Sequence, residues 1–134
     1  MLIVEDHEML RAVLGDWIEN MVAGVSVRRV CSAEEALDDL AQTAADLVLM
    51  DLALPGMDGI EGTRLIRARA PQTEVVILSI LDDRAHVADA LDAGAVAFIS
   101  KRRMRSELPA VLKEVLGRRR CRADSAAPSG GGAQ

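Results

Sequence analysis

Aromatic side chains are almost absent from this sequence, whose 134 residues include one Trp, one Phe and no Tyr. A core without aromatic rings must be built from Leu, Val, Ile, Ala and Met. The hydrophobic content of 50% is enough for such a core, and the length is that of one domain. The same scarcity leaves few rings on which nucleic-acid bases could stack.

Cysteine and long apolar runs are scarce as well. The two cysteines, Cys31 and Cys121, lie far apart in sequence. The chain has no secretory signal pattern and no run of about 18 apolar residues. These absences predict a soluble cytoplasmic protein with free thiols and no membrane partner.

The net charge of −5 is unevenly distributed along the chain. Residues 1–100 contain seven arginines and eighteen acidic residues, whereas residues 101–134 contain nine basic and three acidic residues. A basic end can bind nucleic acid, but this one contains neither aromatic residues nor a recognisable binding motif. A solvated basic face and tail is therefore the favoured interpretation.

Short apolar runs alternate with segments of helical period. Five strands are predicted at residues 1–4, 25–30, 47–50, 74–78 and 96–99. Helices are predicted at residues 7–21, from a capping box at Ser32 and Glu35, from Asp58, from Asp82 or Asp83 to Gly94, and at about 106–117.

This alternation favours right-handed crossovers and a parallel sheet that is covered on both faces. We predict an α/β, flavodoxin-like doubly wound (βα)5 fold, with a five-stranded parallel sheet in the order 2-1-3-4-5. The predicted domain is residues 1–117. Residues 118–134, basic and then rich in Ala, Ser and Gly, are predicted to be a disordered tail.

Polar residues follow four of the predicted strands: Glu5 and Asp6, Asp51, Ser79 and Lys101. Because the carboxyl ends of parallel strands share one edge of the sheet, we expect these side chains to converge. Three carboxylates together favour a hard divalent cation such as Mg²⁺. The set predicts aspartyl phosphorylation, with Asp51 as the nucleophile and with Lys101 and Ser79 around the transferred phosphoryl group.

At these residues the chain resembles the receiver domains of bacterial two-component response regulators. The resemblance covers residues 1 to about 117, and its details are similar to receivers that precede a LuxR-type helix-turn-helix output domain. It is carried by Val4-Glu5-Asp6-His7, by Leu47-Val48-Leu49-Met50-Asp51-Leu52 with Pro55-Gly56-Met57-Asp58-Gly59, by Ile77-Leu78-Ser79, and by Ala93-Gly94-Ala95 with Phe98-Ile99-Ser100-Lys101.

The resemblance implies a metal site and a phosphoryl acceptor. Glu5, Asp6 and Asp51 would bind Mg²⁺ together with the main-chain carbonyl of Ala53. Asp51 would accept a phosphoryl group from a histidine kinase. The chain would then catalyse its own phosphorylation and dephosphorylation without being an enzyme that acts on a separate substrate.

The resemblance also implies a switch. Ser79 and Lys101 would contact the phosphoryl group, and Phe98 would be the switch aromatic that fills space vacated by Ser79. The surface of helix 4, strand 5 and helix 5 would change as a result, and it is the expected surface of a homodimer. Residues 118–134 are too few for a helix-turn-helix module, so the expected output is either DNA binding through an absent domain or contact with a protein partner.

Two residues depart from the family's pattern. Arg102 follows the lysine where many receivers have proline, and Ile80 follows the hydroxyl where they often have Ala or Gly. We predict that the branched side chain of Ile80 narrows access to Asp51 and slows phosphoryl exchange.

Other functions fit the sequence less well. A phosphatase of the haloacid-dehalogenase kind needs a second aspartate two residues after its nucleophile, and that position is Ala53. A flavodoxin-type electron carrier needs a loop that cradles phosphate, whereas Glu5 and Asp6 would repel it. A receiver-fold protein-interaction module that works without phosphorylation stays open as the alternative.

Overall fold

The computed structural model describes residues 1–126, with side chains as far as Arg118. The elements, in chain order, are β1 (Leu2–Val4), α1 (Glu8–Met21), β2 (Arg28–Val30), α2 (Ala33–Gln42), β3 (Leu47–Met50), α3 (Gly59–Arg69), β4 (Glu74–Ser79), α4 (Arg84–Asp92), β5 (Ala97–Ser100) and α5 (Met104–Ala126). A single 3₁₀ turn, Lys101–Arg103, joins β5 to α5.

The five strands form one parallel sheet in the order β2-β1-β3-β4-β5, which confirms the predicted topology. The strand β3 lies at its centre, and all four of its residues are buried. Its side chains alternate between two apolar clusters, with Val48 and Met50 on one face and Leu47 and Leu49 on the other. Burial on both faces explains why this strand is a continuous apolar run.

The helix starts follow the predicted caps in part. Ser32 Oγ accepts a hydrogen bond from the Glu35 amide at 3.1 Å, and Asp58 Oδ1 accepts one from the Glu61 amide at 2.9 Å. The second half of the predicted capping box is wrong, because the Glu35 carboxylate accepts from the Cys31 amide and thiol instead of from the amide of Ser32.

The helix α4 begins after Asp83 and is followed by Gly94, which adopts a φ of +115°. The predicted end at this glycine is therefore confirmed, because few residues other than glycine adopt that backbone conformation readily.

Two element ends differ from the prediction by three residues or more. The strand β2 covers only Arg28–Val30 of the predicted 25–30. The helix α5 continues through Gly117 to Ala126, so the predicted end is wrong. A glycine inside a helix costs about 1 kcal/mol relative to alanine, too little to stop a helix that arginines continue. Disorder was predicted for residues 118–134; of these, residues 118–126 continue α5 and residues 127–134 lie outside the described residues.

None of the helices within residues 1–126 is long and apolar enough to span a membrane.

Candidate functional site: an acidic cluster at the carboxyl edge of the sheet

Two acidic residues directly follow the paired strands β1 and β3. The Glu5 amide donates to the Val30 carbonyl at 3.2 Å, and the Asp51 amide donates to the Val4 carbonyl at 3.1 Å. The parallel ladder thus extends one residue beyond each strand and fixes both backbones. The result is a pair of nearly buried carboxylic side chains, 3% exposed at Glu5 and 5% exposed at Asp51.

Asp6 completes the cluster from the exposed side. Glu5, Asp6 and Asp51 each offer one carboxylate oxygen, and the three oxygens lie within 4.8 Å of one another. Like charges gathered at a partly desolvated site are unfavourable unless a cation lies among them. Three carboxylate oxygens with an open, solvated side are a donor set that suits Mg²⁺.

Lys101 reaches the two buried carboxylates from the end of β5. Its Nζ lies 2.9 Å from Glu5 Oε1 and 3.0 Å from Asp51 Oδ2. Burial alone lowers the pKa of Lys101, but the hydrogen bonds to Glu5 and Asp51 outweigh it, so the pKa lies above its usual value. The ammonium is therefore charged at neutral pH and neutralises part of the cluster.

The remaining carboxylate oxygens are oriented by backbone amides. Glu5 Oε2 accepts from the His7 amide at 3.1 Å, and Asp51 Oδ1 accepts from the Ala53 amide at 3.2 Å. Arg11 Nη1 donates to the Glu5 carbonyl at 2.8 Å. Sequence reasoning missed these contacts. The position of Arg11, one helical turn after the α1 cap His7, was the available signal for the last of them.

Gly59 lets α3 begin directly against the nucleophile candidate. A Cβ at this position would lie 2.1 Å from the Asp51 carbonyl oxygen and 2.7 Å from Leu52 Cα. The Gly59 amide donates to the Leu52 carbonyl at 3.0 Å, which closes the β3–α3 loop. Only glycine permits this close approach, so the loop after Asp51 depends on the absence of a side chain here.

Ser79 lies at the end of β4 and is fully buried. Its Oγ accepts a hydrogen bond from the Leu81 amide at 3.2 Å, within its own loop. In the sheet register Ser79 is the partner of Ser100, the residue before Lys101. The structure thus brings Ser79 and Lys101 to the same edge, with the lysine on the carboxylates and the serine hydroxyl bonded to its own loop.

Phe98 is half-buried at the middle of β5. It borders a groove of about 240 Å³ whose other lining residues are Asp82, Val87, Ser100, Arg103 and Glu107. The groove lies between α4, β5 and the start of α5. Phe98 therefore faces the surface predicted to change.

The family profile called "Response regulator receiver domain" matches residues 1–113. The chain belongs to this family. Among curated relatives, this receiver domain is 40% identical over 117 residues to the transcriptional activator protein ExaE of Pseudomonas putida, with 87% of this chain and 53% of the relative covered. It is 35% identical over 100 residues to the response regulator protein VraR of Staphylococcus aureus, with 75% and 48% covered. The chain spans about half the length of the curated relatives it matches.

Solved structures agree with the fold. A LuxR-family two-component response regulator from Aurantimonas superposes with a TM-score of 0.81 at 31% identity, with 87% of this chain and 83% of that chain covered. The BeF3-activated DrrB receiver domain gives a TM-score of 0.77 at 26% identity, with 87% and 95% covered. The predicted resemblance to receivers of LuxR-type regulators is thereby confirmed.

Proposed function

We propose that this receiver domain accepts a phosphoryl group on Asp51 from the phosphohistidine of a histidine kinase. The observation that carries the proposal is the pairing of Lys101 with the nearly buried carboxylates of Asp51 and Glu5, beside the exposed Asp6. A nucleophile, a fixed cation and an open acidic rim are the parts that phosphoryl transfer to a carboxylate needs. The proposed setting is the cytoplasm.

In the proposed step an oxygen of Asp51 attacks phosphorus and the P–N bond of the phosphohistidine breaks, with its electron pair left on the imidazole nitrogen. Lys101 shifts its ammonium from the Asp51 carboxylate towards an oxygen of the phosphoryl group. Ser79 turns its hydroxyl from its own loop and donates to another of those oxygens. In the later hydrolysis, water attacks phosphorus, the P–O bond to Asp51 breaks with its electron pair left on the carboxylate, and inorganic phosphate and a proton leave.

Glu5, Asp6 and Asp51 would hold Mg²⁺, with the main-chain carbonyl of Ala53 as a further ligand. When bound, the ion would supply positive charge that neutralises the phosphoryl oxygens during transfer. The arrangement of the three carboxylate oxygens within 4.8 Å supports this assignment. The assignment of Ala53 rests on the family resemblance.

The proposed output is a change of the surface formed by α4, β5 and α5. Movement of Ser79 towards Asp51 would free space for Phe98, which borders the groove on this surface. Leu91 and Val96 are exposed apolar residues of α4 and of the turn before β5, and they support a homodimer through this face. Because the relatives are about twice as long and one is a transcriptional activator, we propose DNA binding through a further domain as the output, and a protein partner as its alternative.

The test is phosphorylation by acetyl phosphate and Mg²⁺, followed by intact-protein mass spectrometry. We expect one phosphoryl adduct, lost in Asp51→Asn and on removal of Mg²⁺ with a chelator. The matched control Asp38→Asn removes an exposed carboxylate from α2 and should leave the adduct unchanged. No adduct with acetyl phosphate or with a panel of phosphorylated kinases would contradict the proposal and favour an interaction module that works without phosphorylation.

A further inference from the structure

The loop between β4 and α4, residues 80–83, is tied to the end of β5 by a chain of hydrogen bonds. Ser100 Oγ donates to Asp82 Oδ2 at 2.7 Å. The same Oγ accepts from the Arg102 amide at 3.3 Å. Arg102 also reaches Asp82 with its guanidinium, at 3.3 Å between Nη2 and Oδ1. We call the contacts among Asp82, Ser100 and Arg102 the loop latch.

The loop latch depends on a residue other than proline at position 102. Proline has no amide hydrogen and could not donate to Ser100. With the amide of Arg102 bound to its oxygen, the Ser100 hydroxyl is oriented to donate its hydrogen to Asp82. Arg102, where many receivers have proline, therefore supplies an amide that the loop latch uses.

The loop latch is connected to Ser79 through only a few bonds. The Asp82 amide donates to the Ile80 carbonyl at 3.0 Å, and the Leu81 amide donates to Ser79 Oγ at 3.2 Å. Ser79 is also the register partner of Ser100 in the sheet. A loop held at Asp82 therefore holds the Leu81 amide on the Ser79 hydroxyl, turned to its own loop.

We propose that Asp82, Ser100 and Arg102 are positioning residues that hold Ser79 in a resting geometry and so slow phosphorylation of Asp51. This inference rests on the proposed phosphoryl transfer. When Ser79 turns towards a phosphoryl oxygen, the loop that carries Leu81 and Asp82 must move with it. Contacts present only in the resting conformation lower the population of the reactive one.

The strength of the loop latch is uneven among its contacts. The Arg102 side chain is 74% exposed, so its ion pair with Asp82 contributes little in water. The Ser100–Asp82 bond is short and its acceptor is charged, which makes it the stronger contact. Its effect on the Asp82 carboxyl agrees, since hydrogen bonding from Ser100 lowers the pKa of Asp82 below its usual value.

The experiment compares phosphorylation rates with acetyl phosphate and Mg²⁺ in variants of the loop latch. We expect Ser100→Ala and Asp82→Ala to react about threefold faster than the unmodified chain, which corresponds to the loss of one charge-assisted hydrogen bond weakened by the 29% exposure of Asp82. The double variant should react no faster than either single variant, because both remove the same bond. Ser100→Thr, which keeps the hydroxyl, should restore the original rate.

Two control variants test whether a change in phosphorylation rate comes from the Ser100–Asp82 bond or only from the loss of a surface charge or of an exposed contact. Asp89→Ala removes an exposed carboxylate of α4 and should leave the rate unchanged. Arg102→Gln keeps the amide and should change the rate less than Ser100→Ala does. Unchanged or slower rates in folded Ser100→Ala and Asp82→Ala, or additive effects in the double variant, would overturn the proposal.

Amide hydrogen exchange measures how readily the loop held by the loop latch opens, without any phosphorylation reaction. Exchange at residues 80–84 should be faster in Ser100→Ala than in the unmodified chain, and unchanged exchange would overturn the loop latch. Because this measurement needs no phosphoryl donor, it stays informative if Asp51 accepts no phosphoryl group. If exchange is faster in Ser100→Ala but the unmodified chain forms no phosphoryl adduct, the loop latch does hold the loop. Both the proposed function and the effect of the loop latch on phosphorylation are then refuted.

Discussion

The two halves of the carboxyl edge of this receiver domain are held by different kinds of interaction. At the β1–β3 half, Lys101 is 17% exposed and lies between two nearly buried carboxylates. At the β4–β5 half, the loop latch uses Asp82, which is 29% exposed, and Arg102, which is mostly in solvent. Breaking a desolvated ion pair leaves an uncompensated charge, whereas water replaces much of an exposed bond. The first half is therefore rigid and the second is suited to opening.

The largest effect should come from removing the ammonium group of Lys101 at the β1–β3 half. Lys101→Met leaves the Glu5 and Asp51 carboxylates without their partner, and we expect a loss of roughly 3 kcal/mol in the free energy of unfolding without metal. Added Mg²⁺ should restore part of that loss, because a cation binding the folded state stabilises it. Urea unfolding with and without Mg²⁺ measures both. An unchanged urea midpoint in Lys101→Met would mean that the contacts of the β1–β3 half contribute as little to stability as those of the β4–β5 half.

The lysine also predicts a pH dependence for the unmodified chain. Since the folded-state pKa of Lys101 is raised, its stabilisation is fully present below the unfolded pKa of about 10.4 and is lost as the pH rises through the folded value. Urea unfolding at pH 8 and pH 11 should therefore show a larger loss in the unmodified chain than in Lys101→Met. Equal losses would contradict the assignment.

A smaller effect is expected from the backbone beside Asp51. Gly59→Ala introduces a Cβ only 2.1 Å from the Asp51 carbonyl oxygen, and it should lower the free energy of unfolding by roughly 2 kcal/mol. It should also slow phosphorylation, because Asp51 must shift. Gly117→Ala is the matched control: it meets no atom within 4 Å and should stabilise α5 by roughly 0.5–1 kcal/mol. Equal effects of the two substitutions on unfolding would argue against the tight β3–α3 loop.

The contacts of the β4–β5 half predict a shift in the titration of Asp82. Ser100→Ala should raise the pKa of Asp82 towards its usual value of 3.8, because the hydrogen bond that favours the carboxylate is gone. NMR titration of the side-chain carboxyl measures this. Since the folded-state pKa is lowered, the bond's contribution to stability is present above the unfolded pKa of about 3.9 and is lost as the pH falls through the folded value. The stabilities of variant and parent should therefore converge at lower pH.

The smallest effect concerns Ile80, next to Ser79. Its side chain is 58% exposed, so Ile80→Ala should leave the free energy of unfolding nearly unchanged. If the side chain limits access of water to phosphorylated Asp51, the variant should lose its phosphoryl group roughly twofold faster. Mass spectrometry of the decaying adduct measures the rate. Leu91→Ala, an exposed apolar residue on α4, is the control, and an unchanged rate in Ile80→Ala would refute the role of Ile80.

Some features of the site could be predicted because they depend on local pattern and on topology. The apolar run Leu47–Met50 identified the central strand, and the alternation of elements fixed the strand order, so Asp51 and Glu5 had to meet. The same order places Lys101 at this edge, although its long side chain must reach past β4 to meet those carboxylates. Residues at the ends of adjacent parallel strands are brought together by the sheet itself.

Other features could not be predicted because they depend on side-chain direction. The Glu35 carboxylate turns to Cys31 and not to the Ser32 amide, and the sequence offered it donors at both residues. The helix α5 also passes through Gly117, which is not among the glycines that adopt a positive φ, and the sequence does not distinguish the two kinds of glycine. The loop latch likewise joins the β4–α4 loop to the end of β5 and the 3₁₀ turn after it, and no periodic pattern predicts such contacts.

The sequence by itself determined the sheet, its order and the meeting of three carboxylates with a lysine at one edge, because strand periodicity and parallel crossovers leave few alternatives. Only the tertiary structure decided where the Ser79 hydroxyl points and what holds its loop, since Asp82 and Ser100, 18 residues apart in sequence, meet where the β4–α4 loop packs against the end of β5. Topology sets which side chains gather at the strand ends, whereas the contacts of the loop latch depend on how the β4–α4 loop packs against the end of β5.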